Sequence, residues 1–486
     1  MAFRASALRP LKSLALAGLL LLTSCPGGGG GGAGPGGGPP AAPSISLHGW
    51  YITQATQRLD RSVPLVAGRD GVLRVFLRAS GANTATPEVR VTLTGGSPPT
   101  AWVRTLTAPG PGVPTEVRED DLGRSWNLSI PRALLVPGAT IRLEVDPGGA
   151  VPGIDPASKV VAAPLTVREI PPVYIKLIPV RQPDGSVGEV VGGGRTLDTW
   201  TDHFRRMFPV AEVHTELGRE LATPGNLSAP GDAAWLRLLA QLENRRKNVD
   251  CEPGKYYFGV VRLSHRRGGH NHLHGLSHLA SGESAGWDDL AAYQDTFAHE
   301  MGHSFGRAHA PCGVPGADAD LDPLWPRDPQ HQDAALGAVG LDVAAMAAGA
   351  PAIRTSPDYQ DLMSYCPPYW ISDYVYLRVM IHLATHPLGP DIQVPITWSA
   401  ALRGPWPRLQ HSCPGMPLCS PAMRHTLAVE APHGVDAGVA PSAANPLDGP
   451  AGPGTGPGRG RGAQDRRRRG VPGPARLPGQ PLCGKR

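Results

Sequence analysis

Residues 299–309 run His-Glu-Met-Gly-His-Ser-Phe-Gly-Arg-Ala-His and fit H-E-x-x-H-x-x-G-x-x-H at every fixed position. His299 and His303 are four residues apart, so on a helix they lie one above the other on one face and can share a metal ion. Glu300 sits beside the first ligand, where a carboxylate can take a proton from a metal-bound water. Gly306 can adopt the left-handed conformation that ends a helix and turns the chain, which would return His309 as a third ligand. Three histidines leave one tetrahedral position open, the arrangement of a catalytic rather than a structural zinc site. The short H-E-x-x-H alone also occurs on ordinary surface helices. The longer motif fixes five positions in eleven residues, so one Zn²⁺ on His299, His303 and His309 is expected.

The flanks supply elements to position these groups. Phe297, Ala298, Met301 and Phe305 give the motif helix an apolar face, and Asp288 or Asp289 is expected to cap its start. Upstream, Val173 to Ile178 predicts a strand. Thr196 to Phe208 has helical spacing, with Leu197, Trp200, Phe204 and Met207 on one stripe. Ala211 to Leu217 predicts a second strand. Trp235, Leu238, Leu239 and Leu242 mark a helix from about Asp232 to Arg246, and Tyr256 to Leu263 predicts a third strand. Leu276 to Ala280 and Ser284 to Trp287 are expected as short edge strands. Downstream, Ser372 is placed to cap a last helix carrying Tyr376, Val379, Met380 and Leu383.

A second segment, Asp361-Leu362-Met363-Ser364-Tyr365-Cys366, joins the first. With both present, the chain resembles the metzincin metallopeptidases, which pair the long zinc motif with a downstream methionine turn. The turn is most similar to those of the serralysin and astacin branches. The resemblance implies that Met363 forms an apolar floor beneath the ligands. It also implies that Tyr365 contacts the metal or donates to the reacting oxyanion. It further implies an α+β catalytic domain over 171–388, with a mixed twisted sheet, a zinc-binding active-site helix and a C-terminal helix. Cys312 follows His309 by three residues and Cys366 follows Met363 by three. A disulfide between them could staple the ligand loop to the turn. A zinc-ligating thiolate is the alternative, disfavoured because three histidines already fill the set.

The rest of the chain bounds where such a domain works. Arg4, Arg9 and Lys12 precede an apolar run, Leu14 to Leu22, too short to span a bilayer. Leu22-Thr23-Ser24-Cys25 resembles the lipobox of bacterial lipoproteins, with 1–24 as signal peptide and Cys25 as the lipidated residue. A plain secretory signal with an incidental cysteine is the alternative, and either takes the protein out of the cytoplasm. Residues 25–43 are Gly/Pro-rich and predict a tether holding the body off the outer membrane or cell surface. Residues 44–168 predict an all-β, sandwich-like domain. Val89 to Leu93 and Ile141 to Val145 alternate cleanly, and turn residues recur at short intervals. That domain could serve as a spacer, a substrate-binding module or an inhibitory pro-region. Of 62 glycines and 54 prolines many crowd the two ends, and 389–486 predicts a disordered, Arg-bearing tail. The histidines at 265, 270, 272, 274 and 278 offer a weaker second metal site, with a polar loop as the simpler account.

Together these features predict a zinc-dependent endopeptidase. His299, His303 and His309 hold the ion, Glu300 is the general base, and Tyr365 stabilises the oxyanion. The partners expected are a protein or peptide substrate and, through Cys25, a membrane. The net charge of +5 is small for this length and no nucleic acid is expected. The alternative is a non-catalytic, zinc-containing surface adhesion or binding module. An intact Glu300 favours the enzyme.

Overall fold

The computed structural model describes residues 43–96, 99–264, 273–314, 321–387 and 389–391. Cys25, the signal segment, most of the tether, the tail from 392 onward, and His265, His270 and His272 lie outside these residues.

The described chain opens with ten strands. They are β1 (Ile45–Thr53), β2 (Thr56–Gln57), β3 (Leu65–Val66), β4 (Gly71–Ala79), β5 (Val89–Gly95), β6 (Thr100–Leu106), β7 (Trp126–Ile130), β8 (Thr140–Val145), β9 (Val160–Pro164) and β10 (Val167–Arg168). Two antiparallel sheets result, in the orders β1-β4-β7 and β6-β5-β8-β9. In β5 and β8 every second residue is buried, so one face of that sheet is apolar and the other wet. The inward faces share one core, including Trp50, Leu73, Val75, Val91, Trp126 and Leu143.

The next elements are β11 (Val173–Arg181), α1 (Leu197–Trp200), α2 (Asp202–Met207), β12 (Val213–Leu217), β13 (Leu221–Ala222), α3 (Ala233–Asn244), β14 (Tyr256–Val261), β15 (Gly275–Ser277), β16 (Glu283–Trp287) and α4 (Tyr293–Ser304). A sheet runs β12-β11-β14-β16-β15, with β13 also paired to β11. Every pair in it is parallel except the edge pair of β15 with β16. All six residues of β14 are buried, as a central parallel strand covered on both faces requires. The expected helix over 196–208 is broken at Thr201, whose backbone (φ −101°, ψ 4°) is not helical. The chain ends in β17 (Val339–Leu341), α5 (Val343–Ala347), β18 (Ile353–Arg354), β19 (Gln360–Asp361), β20 (Tyr369–Trp370) and α6 (Asp373–Thr385). Ser372 caps α6 through its hydroxyl, 3.1 Å from the Val375 amide.

The expectation of an α+β, metzincin-like fold is corrected. About 30% of the described residues are in strands and 20% in helices, so the described fold is mostly β. The helices expected over 196–208 and 232–246 are present as α1, α2 and α3, whereas strands of two to nine residues carry more of the chain. Many of those strands are too short to give a periodic signal.

The stretch between β1 and β4 leaves the sandwich and enters the second core. Ala55, Val63 and Val66 pack in the same apolar cluster as Phe297, Met301 and Met363. Strand β2 pairs antiparallel with β17. The Ala55 carbonyl accepts from the Leu341 amide at 2.8 Å and from Trp370 Nε1 at 2.9 Å. Arg58 pairs with Asp373 at the start of α6.

Candidate metal centre

Helix α4 carries the first two histidines on a largely buried turn, with Phe297, Ala298 and Met301 anchoring it. Its N-cap is Ala292, which makes no side-chain cap, so the expected capping by Asp288 or Asp289 is corrected. Asp289 instead closes the turn before the helix: its carboxylate accepts from the Ala291 amide at 3.0 Å and its carbonyl from the Tyr293 amide at 2.8 Å. Asp288 accepts from Arg262 and the Glu189 amide. The helix stops in a Schellman motif. The Gly306 amide donates to the His303 carbonyl at 2.7 Å, and the Arg307 amide to the Gly302 carbonyl at 3.0 Å. Gly306 has φ +75°, which a residue with a Cβ rarely adopts.

That turn brings His309 back. His303 Nε2 lies 3.1 Å from His299 Nε2 and 3.2 Å from His309 Nε2. Among the described residues these three form a group that could hold a metal ion. Tetrahedral nitrogen ligands about 2.0–2.1 Å from a zinc ion would stand about 3.3–3.4 Å apart. The nitrogens are therefore already placed at close to that spacing. The outer nitrogens of two of them are fixed: His299 Nδ1 donates to the Leu362 carbonyl at 2.8 Å and His303 Nδ1 to the Arg307 carbonyl at 2.6 Å. With Nδ1 protonated, Nε2 offers its lone pair to the centre. Burial, then the neighbouring His309, pushes the His299 pKa down to about 4, and burial likewise depresses His303. Neutral imidazoles are the form that binds a metal, so the residues fit the ion the motif implies.

Glu300 is buried, and burial raises its pKa well above the ordinary carboxyl range. Its Oε2 has no hydrogen-bond partner. Met363 is fully buried, and its sulfur lies 2.3 Å from where a Cβ on Gly302 would stand. The floor thus needs a glycine in the last turn of the ligand helix. Gly302 was not singled out by its spacing, although a helix-interior glycine costs about 1 kcal/mol against alanine and so asks for a reason. Tyr365 is 44% exposed, and its hydroxyl is 3.1 Å from His309 Nε2.

The methionine turn and ligand loop are bound side by side. The Ala310 amide donates to the Met363 carbonyl at 2.9 Å, and the Tyr365 amide to the Cys312 carbonyl at 2.9 Å. Cys312 and Cys366 form a disulfide, with 5.8 Å between their Cα atoms. Asp361 has a role that its spacing does not reveal. It is buried and accepts from the Met363 and Ser372 amides, both at 2.7 Å, so it joins the turn to the start of α6. Burial raises its pKa to about 6. Of the histidine-rich segment, His274 lies against Trp287, 4.8 Å between ring centroids, just before β15.

No family model and no curated protein matches this chain. Among solved structures, a similar one is the CARDB domain of a Pyrococcus furiosus protein, crystallised in complex with di-metal ions. It shares 15% identity at a TM-score of 0.18 and covers 26% of this chain and 93% of its own.

Proposed function

We propose that the protein is a zinc-dependent endopeptidase acting on proteins or peptides outside the cytoplasm. The convergence of three imidazole Nε2 atoms on one point supports it, together with a buried carboxylate on the same helix that has an unpartnered oxygen. A structural metal site has no need for such a carboxylate. When bound there, zinc would supply a Lewis acid that polarises the scissile carbonyl and lowers the pKa of water to about 7. His299 and His303, held by the Leu362 and Arg307 carbonyls, keep their lone pairs aimed at the site. Glu300 takes the water proton on its free oxygen and later gives it to the leaving amine. The hydroxyl of Tyr365 donates to the oxyanion that develops on the carbonyl oxygen.

The lipobox-like Leu22-Thr23-Ser24-Cys25 extends the proposal: Cys25 carries a lipid and tethers the enzyme to a bacterial membrane. Replacing Cys25 with serine should release the protein from the membrane fraction, and retention would contradict the anchor.

A casein-degradation assay with and without chelator tests the activity. Turnover should vanish with the chelator and return with zinc. Glu300→Ala should keep its zinc and lose turnover by about 10²–10⁴-fold. Activity that survives the chelator, or a zinc-loaded Glu300→Ala protein that still turns over, would sink the proposal.

A further inference from the structure

Strands β15 and β16 present a row of small residues to helix α4. Gly275 stands opposite Gly286, and Ser277 opposite Ser284. Directly opposed residues of an antiparallel pair share a face, and so do residues two apart on one strand. All four therefore point the same way, and their contacts show that this is toward α4. Ser277 Oγ is 3.1 Å from Ser304 Oγ. A Cβ on Gly286 would lie 2.9 Å from Thr296 Cγ2. Thr296, Glu300 and Ser304 are spaced by four and form one helix face, so this face lies in the trough that the small residues leave.

Gly275 is the tightest point of the trough. A Cβ there would stand 2.3 Å from Glu300 Oε1, 2.7 Å from Cδ and 2.8 Å from Cγ. Three successive atoms of one buried side chain are engaged, so a small swing of the carboxylate tip does not clear the clash. Gly275 is not among the positive-φ glycines, so its backbone is open to any residue. Glycine weakens a strand interior and often marks the close approach of another group. Here that group is the carboxylate.

We propose that Gly275 is a positioning residue for Glu300: the missing Cβ lets the carboxylate lie against the edge strand with one oxygen left unpartnered for the reaction. This rests on Glu300 being the base.

The test is Gly275→Ala in the full-length protein, alone and in a Glu300→Ala background, with Ser277→Ala as control. Zinc content, Tm and steady-state kinetics are read. Gly275→Ala should keep one zinc and lower kcat by about 10²-fold with KM little changed, the cost typical of a 1 Å displacement. Ser277→Ala, on the same strand and face, should leave kcat within about twofold of wild type, because its hydroxyl bonds Ser304 and not Glu300. Gly275→Ala should also lower Tm in the wild-type background and lower it far less when Glu300 is already alanine, because the clashing partner is gone. If Gly275→Ala alone fails to fold, recovery of folding in the double variant is the supporting result. An unchanged kcat, or an equal Tm loss (or folding failure) in both backgrounds, would overturn the proposal. A wild-type protein without chelator-sensitive turnover would defeat the peptidase function instead, leaving the Tm comparison to decide whether residues 275 and 300 are coupled.

Discussion

Two buried charged side chains, one in the sandwich and one in the metal centre, are treated in opposite ways. Arg74 on β4 is fully buried and all its donors are used. Nε and Nη2 reach Ser125 Oγ at 3.3 and 3.0 Å, Nη1 reaches Tyr51 Oη at 3.1 Å, and the Glu119 and Asp121 carbonyls take the rest. Glu300 on α4 is almost as buried and leaves Oε2 without a partner. A buried charge is costly unless compensated. The sandwich compensates its charge and is held together by it. The centre leaves one bare, and the helix stays in place because the core of Phe297, Met301 and Met363 holds it. Arg74 serves architecture, whereas the bare oxygen of Glu300 is left available for chemistry.

The strongest way to break this contrast is to remove each group in turn. Arg74→Met should lower the unfolding free energy by about 3–5 kcal/mol, because it strands several buried acceptors. Glu300→Gln should cost little or raise stability, because it removes a buried acidic group that nothing pairs. Urea melts of the two variants decide it, and equal losses would erase the distinction.

A second difference is covalent. Residues 44–168 contain no cysteine, whereas the centre is closed by Cys312–Cys366 across 54 residues. Cys312→Ser/Cys366→Ser should cost about 2–4 kcal/mol. Turnover of the folded fraction should also fall, since the staple joins the His309 loop to Tyr365. Full activity in a merely less stable double variant would confine the bond to architecture.

Tyr365 sharpens the chemical side. Tyr365→Phe should lower kcat by about 10²-fold with KM and Tm nearly unchanged, as for loss of one oxyanion donor. A large Tm loss would class the tyrosine with Arg74 instead.

The smallest effect is expected where the two regions meet. His331 is buried, with Nδ1 2.8 Å from Asp328 and Nε2 2.8 Å from Asp373, which also takes Arg58 from the stretch that leaves the sandwich after β2. Burial alone would lower its pKa, but hydrogen bonds and charge from Asp373 and then Asp328 outweigh it and raise the value. A histidine raised on folding contributes stability that is fully present below its unfolded value of about 6.5 and is lost as pH rises through the folded one. Tm should therefore fall modestly as pH rises above about 6.5, and His331→Gln should flatten that slope. An identical slope in the variant would remove His331 from the junction.

The ligand set was legible because it is local. The 3.6-residue turn stacks His299 over His303, and Gly306 reverses the chain, so eleven consecutive residues bring three nitrogens together. Ser372 was found as the cap of α6 for the same reason. Asp289 was assigned to the wrong task, since an Asx turn and a helix cap use the same residue types.

What the sequence determined by itself is thus the chemistry within one turn and its reversal: His299, His303 and His309 as a group able to hold a metal, with Glu300 beside them. Tertiary structure alone decided the mostly β architecture, the entry of residues 54–66 into the second core, the space that Gly302 leaves for Met363 and Gly275 for Glu300, and the tie from Asp361 to α6. Each of these depends on which surfaces meet, and two-residue strands, a missing Cβ or a carboxylate reaching across eleven residues leave no periodic trace in the chain.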